Sequence, residues 1–165
     1  MTGWYNQGKA CVNGHAVTGN LGKSASAGDK FCSRCGASTI DACPECRQPL
    51  RGEFEVSSVV VLGGLGWTPP TFCHNCGKAL PWTAARLAAA KELAEEADGL
   101  DEAERTKLQA ALDDVVSDNP RTAVAATRIK KALAKLPGAA GKALRDLVVD
   151  IASEAAKKLI FGPGA

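Results

Sequence analysis

Three Cys-x-x-Cys pairs fall within a short stretch of this chain: "CSRCG" (Cys32, Cys35), "CPEC" (Cys43, Cys46) and "CHNCG" (Cys73, Cys76). That spacing lets two thiolates reach one zinc ion from a single tight turn. Gly36 and Gly77 directly follow two of the pairs, where a residue that tolerates positive φ keeps the turn tight. A seventh cysteine, Cys11, has no other cysteine within twenty residues. Six paired thiolates leave two tetrahedral sites short of two ligands. Cys11 supplies one, and His15 of "CVNGH" supplies the other. The expected ligands are therefore Cys11, His15, Cys32, Cys35, Cys43, Cys46, Cys73 and Cys76, holding two structural zinc ions. The second histidine, His74, lies inside "CHNC". Both flanking cysteines already claim the metal there, so its side chain is expected to point away.

Sequential pairing of the ligands places Cys11, His15, Cys32 and Cys35 on one ion and Cys43, Cys46, Cys73 and Cys76 on the other. An interleaved cross-brace is the rival arrangement. The short "GASTIDA" link between Cys35 and Cys43, beside the longer spans inside each sequential quartet, favours the sequential plan. "RGEFEVSSVVVL" reads as strand material, "GGLG" as a turn, and "WTPPTFC" as the return to the last pair. This is a zinc-ribbon plan of knuckle, hairpin and knuckle.

The first residues, "MTGWYNQGKAC", lack the basic start and apolar run of a secretory signal. No apolar stretch approaches the roughly 20 residues that span a bilayer. A cytoplasmic location is expected, where thiols stay reduced and such cysteines serve as metal ligands rather than disulfides.

Composition divides the chain near Trp82. All seven cysteines, both histidines and seven of the eight aromatic residues lie in 1–82, and beyond it alanine dominates. The expected fold is a small α+β protein with a double zinc ribbon over 1–82, built from short β-hairpins, and an alanine-rich all-α region of about four helices over 83–165. The first part is short of core and needs metal as a staple. Within the second, Thr83 is read as the cap of a first helix that stops at Gly99. "DEAE" from Asp101 resembles a capping box that opens a second helix, with Leu108, Leu112 and Val115 on one face. Asn119–Pro120 reads as an N-cap with proline at the first helical position, opening a third helix that carries Ile129, Leu133 and Leu136 and stops at "PG". A fourth is expected from about Gly141 to Phe161, with Leu144, Leu147, Val148, Ile151, Ala155 and Leu159 along one stripe.

Catalysis is not expected. Thioredoxin-like chemistry needs its Cys-x-x-Cys at a helix start in a βαβ unit, and catalytic zinc needs an open coordination position. Eight ligands filling two sites leave none. "GGLG" is not followed by Lys-Ser or Lys-Thr, as a phosphate-binding loop would be.

The formal net charge is +2, and two Zn²⁺ ions held by seven thiolates remove the small positive excess of the first part. Between Asp118 and Asp146, however, there are seven basic residues and no acid. Arg121, Arg128, Lys131 and Lys135 cluster on one side of the third helix as a candidate anion-binding face. A solvated face answered by Asp113 and Asp114 is the favoured reading, because nucleic-acid-binding domains usually carry a larger basic excess. The run "VVVLGGLGW" is unusually apolar for a small ribbon. Val59, Val60, Val61, Leu62 and Trp67 either pack on the protein's own helices or form a partner-binding patch. The function these features favour is a non-catalytic adaptor or accessory subunit of a larger assembly, acting through a protein partner or self-association. The alternatives are a nucleic-acid- or ribosome-associated factor using the basic third helix, and a membrane-surface or self-assembling effector using the last helix. No small-molecule substrate is expected.

"WYN…ACVNGH", "KFCSRCGASTI…CPEC", "FCHNCG…PWT", "NPRTAVAATRIKKAL" and "LRDLVVDIASEAAKKL" together resemble an uncharacterised bacterial double zinc-ribbon family with a helical C-terminal region. The resemblance spans nearly the whole chain. It implies a bacterial cytoplasmic protein and supplies no activity.

Overall fold

In the computed structural model, which describes residues 2–57, 66–136 and 138–162, the chain separates into two units, Met1–Ala84 and Ala85–Ala165. Short strands followed by helices make it a small α+β protein.

Among its described residues the first unit holds five short strands: β1 (Gly3–Gln7), β2 (Lys9–Cys11), β3 (Ala16–Thr18), β4 (Thr39–Ile40) and β5 (Arg51–Val56). β2 is the centre of a three-stranded antiparallel sheet in the order β3-β2-β4, and all three of its residues are buried. Lys9 is tolerated there because its stem lies along apolar surface while Nζ donates to the Ala27 carbonyl at 2.7 Å. The core gathers Ala10, Leu50, Leu80 and Trp82 around Cys43 and Cys73. So few large apolar side chains would not hold a domain of this size by burial alone.

β5 begins the strand expected from "RGEFEV", but its partner is the N-terminal strand. β1 and β5 run antiparallel with Trp4 opposite Glu55 and Tyr5 opposite Phe54. The Tyr5 and Phe54 rings meet at 4.9 Å, and the Arg51 guanidinium lies over Tyr5 at 4.7 Å. Val59, Val60, Val61 and Leu62 lie outside the described residues. Trp67 is half-buried in its own unit. Its indole N–H donates to the Arg51 carbonyl at 3.1 Å, and its ring crosses Gly8 and Gly19 so closely that a Cβ would stand 2.4 and 2.8 Å from it.

Among the described residues five helices follow rather than four: α1 (Pro81–Glu96), α2 (Glu102–Val115), α3 (Thr122–Lys135), α4 (Gly138–Ile151) and α5 (Glu154–Phe161). α1 begins at Pro81, earlier than expected, because proline suits the first helical position and the Leu80 carbonyl already accepts from Ala84 N–H at 3.1 Å. Thr83 is therefore no cap. It is buried, and its hydroxyl donates to the Thr71 carbonyl at 2.9 Å.

The "DEAE" box forms as expected: Asp101 accepts from Glu104 N–H at 2.8 Å, and the Glu104 carboxylate accepts from Asp101 N–H at 3.3 Å. Asn119 instead organises the turn before α3. Its Oδ1 accepts from Arg121 N–H at 2.7 Å, and its amide donates back to the Asp114 carbonyl at 2.8 Å, so the helix proper opens at Thr122.

The expected long last helix is broken at Ala152–Ser153. The Ser153 hydroxyl accepts from Ala156 N–H at 3.3 Å and caps α5, while Ser153 N–H donates to the Val115 carbonyl at 2.8 Å. A serine able to cap offers the backbone an alternative to continuing the helix. The break shifts the buried stripe. Leu144, Val148 and Ile151 are buried on α4, but on α5 Ala156 and Ile160 point inward, leaving Ala155 and Leu159 exposed. The buried side chains of α4 and α5 join the buried stripes of α2 (Leu108, Leu112, Val115) and α3 (Ala125, Ala126, Ile129), with α3 packed against α2, α4 and α5 and small alanines letting the backbones approach. Among the described residues, no helix is long and apolar enough to cross a membrane.

Candidate metal centres

Each Cys-x-x-Cys pair is held by one backbone scheme, used three times. In the first, Cys32 N–H donates to the Ala37 carbonyl and Gly36 N–H to the Cys32 carbonyl, both at 2.8 Å. The same bonds recur as Cys43 to Gln48 and Arg47 to Cys43, and as Cys73 to Lys78 and Gly77 to Cys73. A single β-bridge closes each turn: Phe31 with Ser38, Ala42 with Pro49, and Phe72 with Ala79. The residue after the second cysteine takes positive φ every time, at Gly36 (71°), Arg47 (64°) and Gly77 (70°). Glycine marks two of these positions in the sequence. The third is an arginine, so the repeat is complete in conformation but not in composition. The left-handed region costs a side-chain-bearing residue about 1–2 kcal/mol.

The fourth turn is different. Cys11 and His15 belong to one loop in which Cys11 N–H donates to the His15 carbonyl at 3.0 Å and Gly14 N–H to the Cys11 carbonyl at 2.8 Å. Gly14 has φ 84°, and a Cβ there would stand 2.8 Å from Cβ of Trp82. Both the conformation and the space require glycine.

These turns bring the side chains together in two sets, Cys11–His15–Cys32–Cys35 and Cys43–Cys46–Cys73–Cys76, with all ligand atoms of each within 4.8 Å of one another. The pairing is sequential, not interleaved. In each set the first and third members are buried, the second is half-buried and the fourth is exposed. A tetrahedral ion with metal–sulfur bonds of about 2.3 Å sets sulfur–sulfur edges of about 3.8 Å, and sulfur–nitrogen edges of about 3.6 Å. The observed edges are 3.8 Å for Cys11–Cys35, 3.9 Å for Cys43–Cys76 and 3.6 Å for Cys46–Cys73. His15 Nδ1 lies 3.3 Å from Cys35 Sγ and 3.7 Å from Cys32 Sγ. Both sets therefore fit a tetrahedral ion. His74 is exposed and belongs to neither.

The knuckle backbone is arranged to hold thiolates. The N–H of Arg34 lowers the pKa of Cys32, and that of Ala37 lowers the pKa of Cys35. The N–H of Cys76 is the main cause that brings Cys73 down to about 6. Thiols packed this closely cannot all ionise without a cation among them. At Cys76 the Lys78 N–H favours the thiolate, yet burial and the three neighbouring cysteines prevail and push it up to about 12. Burial likewise raises Cys11. A divalent cation would relieve this conflict directly. Outside the ligand sets, Asn13 Nδ2 approaches Cys35 Sγ at 3.6 Å, and Asn75 N–H donates to Cys73 Sγ at 3.4 Å. Nothing in the spacing of the cysteines points to these two asparagines.

The basic residues singled out on α3 have divided fates. Arg121 Nε pairs with Asp114 at 2.8 Å, and Lys135 pairs with Glu104. Arg128 and Lys131 have no carboxylate partner among the described residues.

Paired knuckles on short strands, two four-ligand sets and a following set of helices define a double zinc-ribbon-like protein with a helical C-terminal region. Residues 4–160 match the family described as an uncharacterized protein conserved in bacteria (DUF2321), and the chain belongs to that family. No curated protein and no solved structure matches it.

Proposed function

We propose that this protein is a non-catalytic adaptor, or accessory subunit of a larger bacterial assembly, whose ribbon is held in shape by two structural zinc ions. The observation that carries this reading is the closure of both ligand sets. Four protein ligands complete the coordination of a tetrahedral ion and leave no position for water or substrate. The donors, seven cysteines and one histidine, are soft and suit zinc over magnesium or calcium. A metal so enclosed contributes to folding and shape. The ribbon then presents Trp4, Tyr5 and Phe54, each about half exposed, and aromatic side chains are enriched where proteins meet. A cytoplasmic site of action follows from thiols that must remain reduced to hold the metal.

The pairing of Arg121 and Lys135 with acids of α2 weighs against nucleic acid as the main partner. The test is affinity purification of the tagged protein from a bacterial host that encodes it, with and without nuclease. A protein recovered in near-equal amount and resistant to nuclease is the expected result. Recovery that disappears with nuclease would overturn the reading.

A further inference from the structure

In the helical unit, five cations have an acidic neighbour: Arg86 with Asp150, Lys91 with Asp113, Arg121 with Asp114, Lys135 with Glu104 and Lys157 with Glu154. Eight others have no carboxylate ion pair among the described residues, and six of these gather at two grooves. Lys107, Arg128 and Lys131 line a groove of about 560 Å³ between α2 and α3. Lys130, Lys142 and Arg145 line a second, of about 540 Å³, where α3 meets α4 and α5. The second groove has no acid in its lining. The first has one, Glu104, which already pairs with Lys135.

Both grooves also have apolar walls: Leu100 and Leu108 in the first, and Leu133, Leu136, Ile160 and Phe161 in the second. Arg145 lies over the Phe161 ring at 5.1 Å, so a cation and an aromatic face are presented together. The grooves flank α3 and share one lining residue, Ala134. Ala134 is exposed, and its small side chain makes a low saddle over which a ligand could pass from one groove to the other.

We propose that this surface docks an acidic, amphipathic segment of a partner protein, lying across α3 at Ala134 with apolar side chains in the two grooves and carboxylates against the six cations. This deepens the adaptor reading and rests on it. Cations alone would serve a phosphate backbone equally well. The apolar walls have no use for phosphates, however, and match the buried anchors with charged surroundings by which an amphipathic helix is read from a groove. Complementary charge on the rim would speed and orient docking.

The probe is a synthetic helix-forming peptide with leucines at helical spacing and glutamates between them, titrated by fluorescence anisotropy against the full-length zinc-loaded protein. Two controls share its length: one with every leucine replaced by serine, and an anionic single-stranded oligonucleotide. Binding of the leucine–glutamate peptide should weaken about tenfold or more in the K130Q/K142Q/R145Q variant, and by a similar factor when serine replaces leucine. Ala134→Trp, at an exposed helical position, should weaken it too while leaving melting unchanged. Oligonucleotide binding tighter than peptide binding overturns the proposal, as does peptide binding that is absent or indifferent to these substitutions. The adaptor reading is judged separately by carrying the triple variant through the affinity purification. Loss of a partner that the unaltered protein retains supports both readings. Retention of the partner leaves the adaptor standing and overturns this surface, and a nuclease-sensitive recovery overturns the adaptor.

Discussion

The ribbon unit centres on Leu80, Trp82 and the cysteines Cys43 and Cys73, whereas the helical unit centres on Leu108, Leu112, Ile129, Leu144 and Val148. The two units are nearly equal in length but solve the same problem with different chemistry. Helices with apolar stripes can bury one another, and their stability grows with the area removed from water. Short strands and turns expose most of what they own, so on the proposed reading the ribbon substitutes a few directional bonds to metal for that area. In the helical unit, stability is spread over many replaceable contacts. In the ribbon it is concentrated in eight side chains.

The largest effect should therefore come from one sulfur. Structural zinc sites in finger peptides have apparent binding free energies of about 10–16 kcal/mol. Cys73→Ser, which strikes a ligand that is also a core residue, should lose one ion per chain and unfold the ribbon, seen as loss of dispersed ribbon signals in an NMR spectrum. A variant that keeps both ions would break the comparison. Leu112→Ala in the helical unit should cost about 2–5 kcal/mol by leaving a cavity, measured by urea denaturation, with metal content unchanged. The smallest effect is a gain. Arg47 adopts a left-handed conformation that Gly36 and Gly77 adopt freely, so Arg47→Gly should stabilise the ribbon by about 1 kcal/mol. The gain should appear as slower metal transfer to a chelator, and a loss of stability would show that the arginine side chain contributes more than its backbone costs.

The ease of reading the sequence follows the same division. Metal geometry fixes ligand spacing, so Cys11, His15 and the three pairs can be recognised, and matched into sets, without knowledge of the fold. Arg47 shows the limit, since its knuckle is conformationally the same as the others but carries no glycine to announce it. The partner of β5 was not legible. "GWYNQ" has no clear alternation, and its pairing with "RGEFEV" closes a loop of more than forty residues, which local patterns do not encode. In the helices, apolar periodicity located the buried faces of α2, α3 and α4. It also ran straight through Ser153, because Ala155 and Leu159 continue the stripe in register. The break depends on a hydroxyl that caps the next turn and a backbone bond to Val115, contacts that exist only once the helices have packed. The clustering of unpaired cations beside the two grooves was likewise hidden, since Lys107 and Arg145 are brought to α3 only by the fold.

The central claim is that two metal ions hold the ribbon while the helices hold themselves. Elemental analysis of the purified protein, followed by circular dichroism and NMR during chelation, tests it most directly. Two zinc ions per chain are expected, with ribbon resonances collapsing as they are removed and the helical dichroism largely retained. One ion per chain, or a ribbon that stays folded after both ions are stripped, would contradict it.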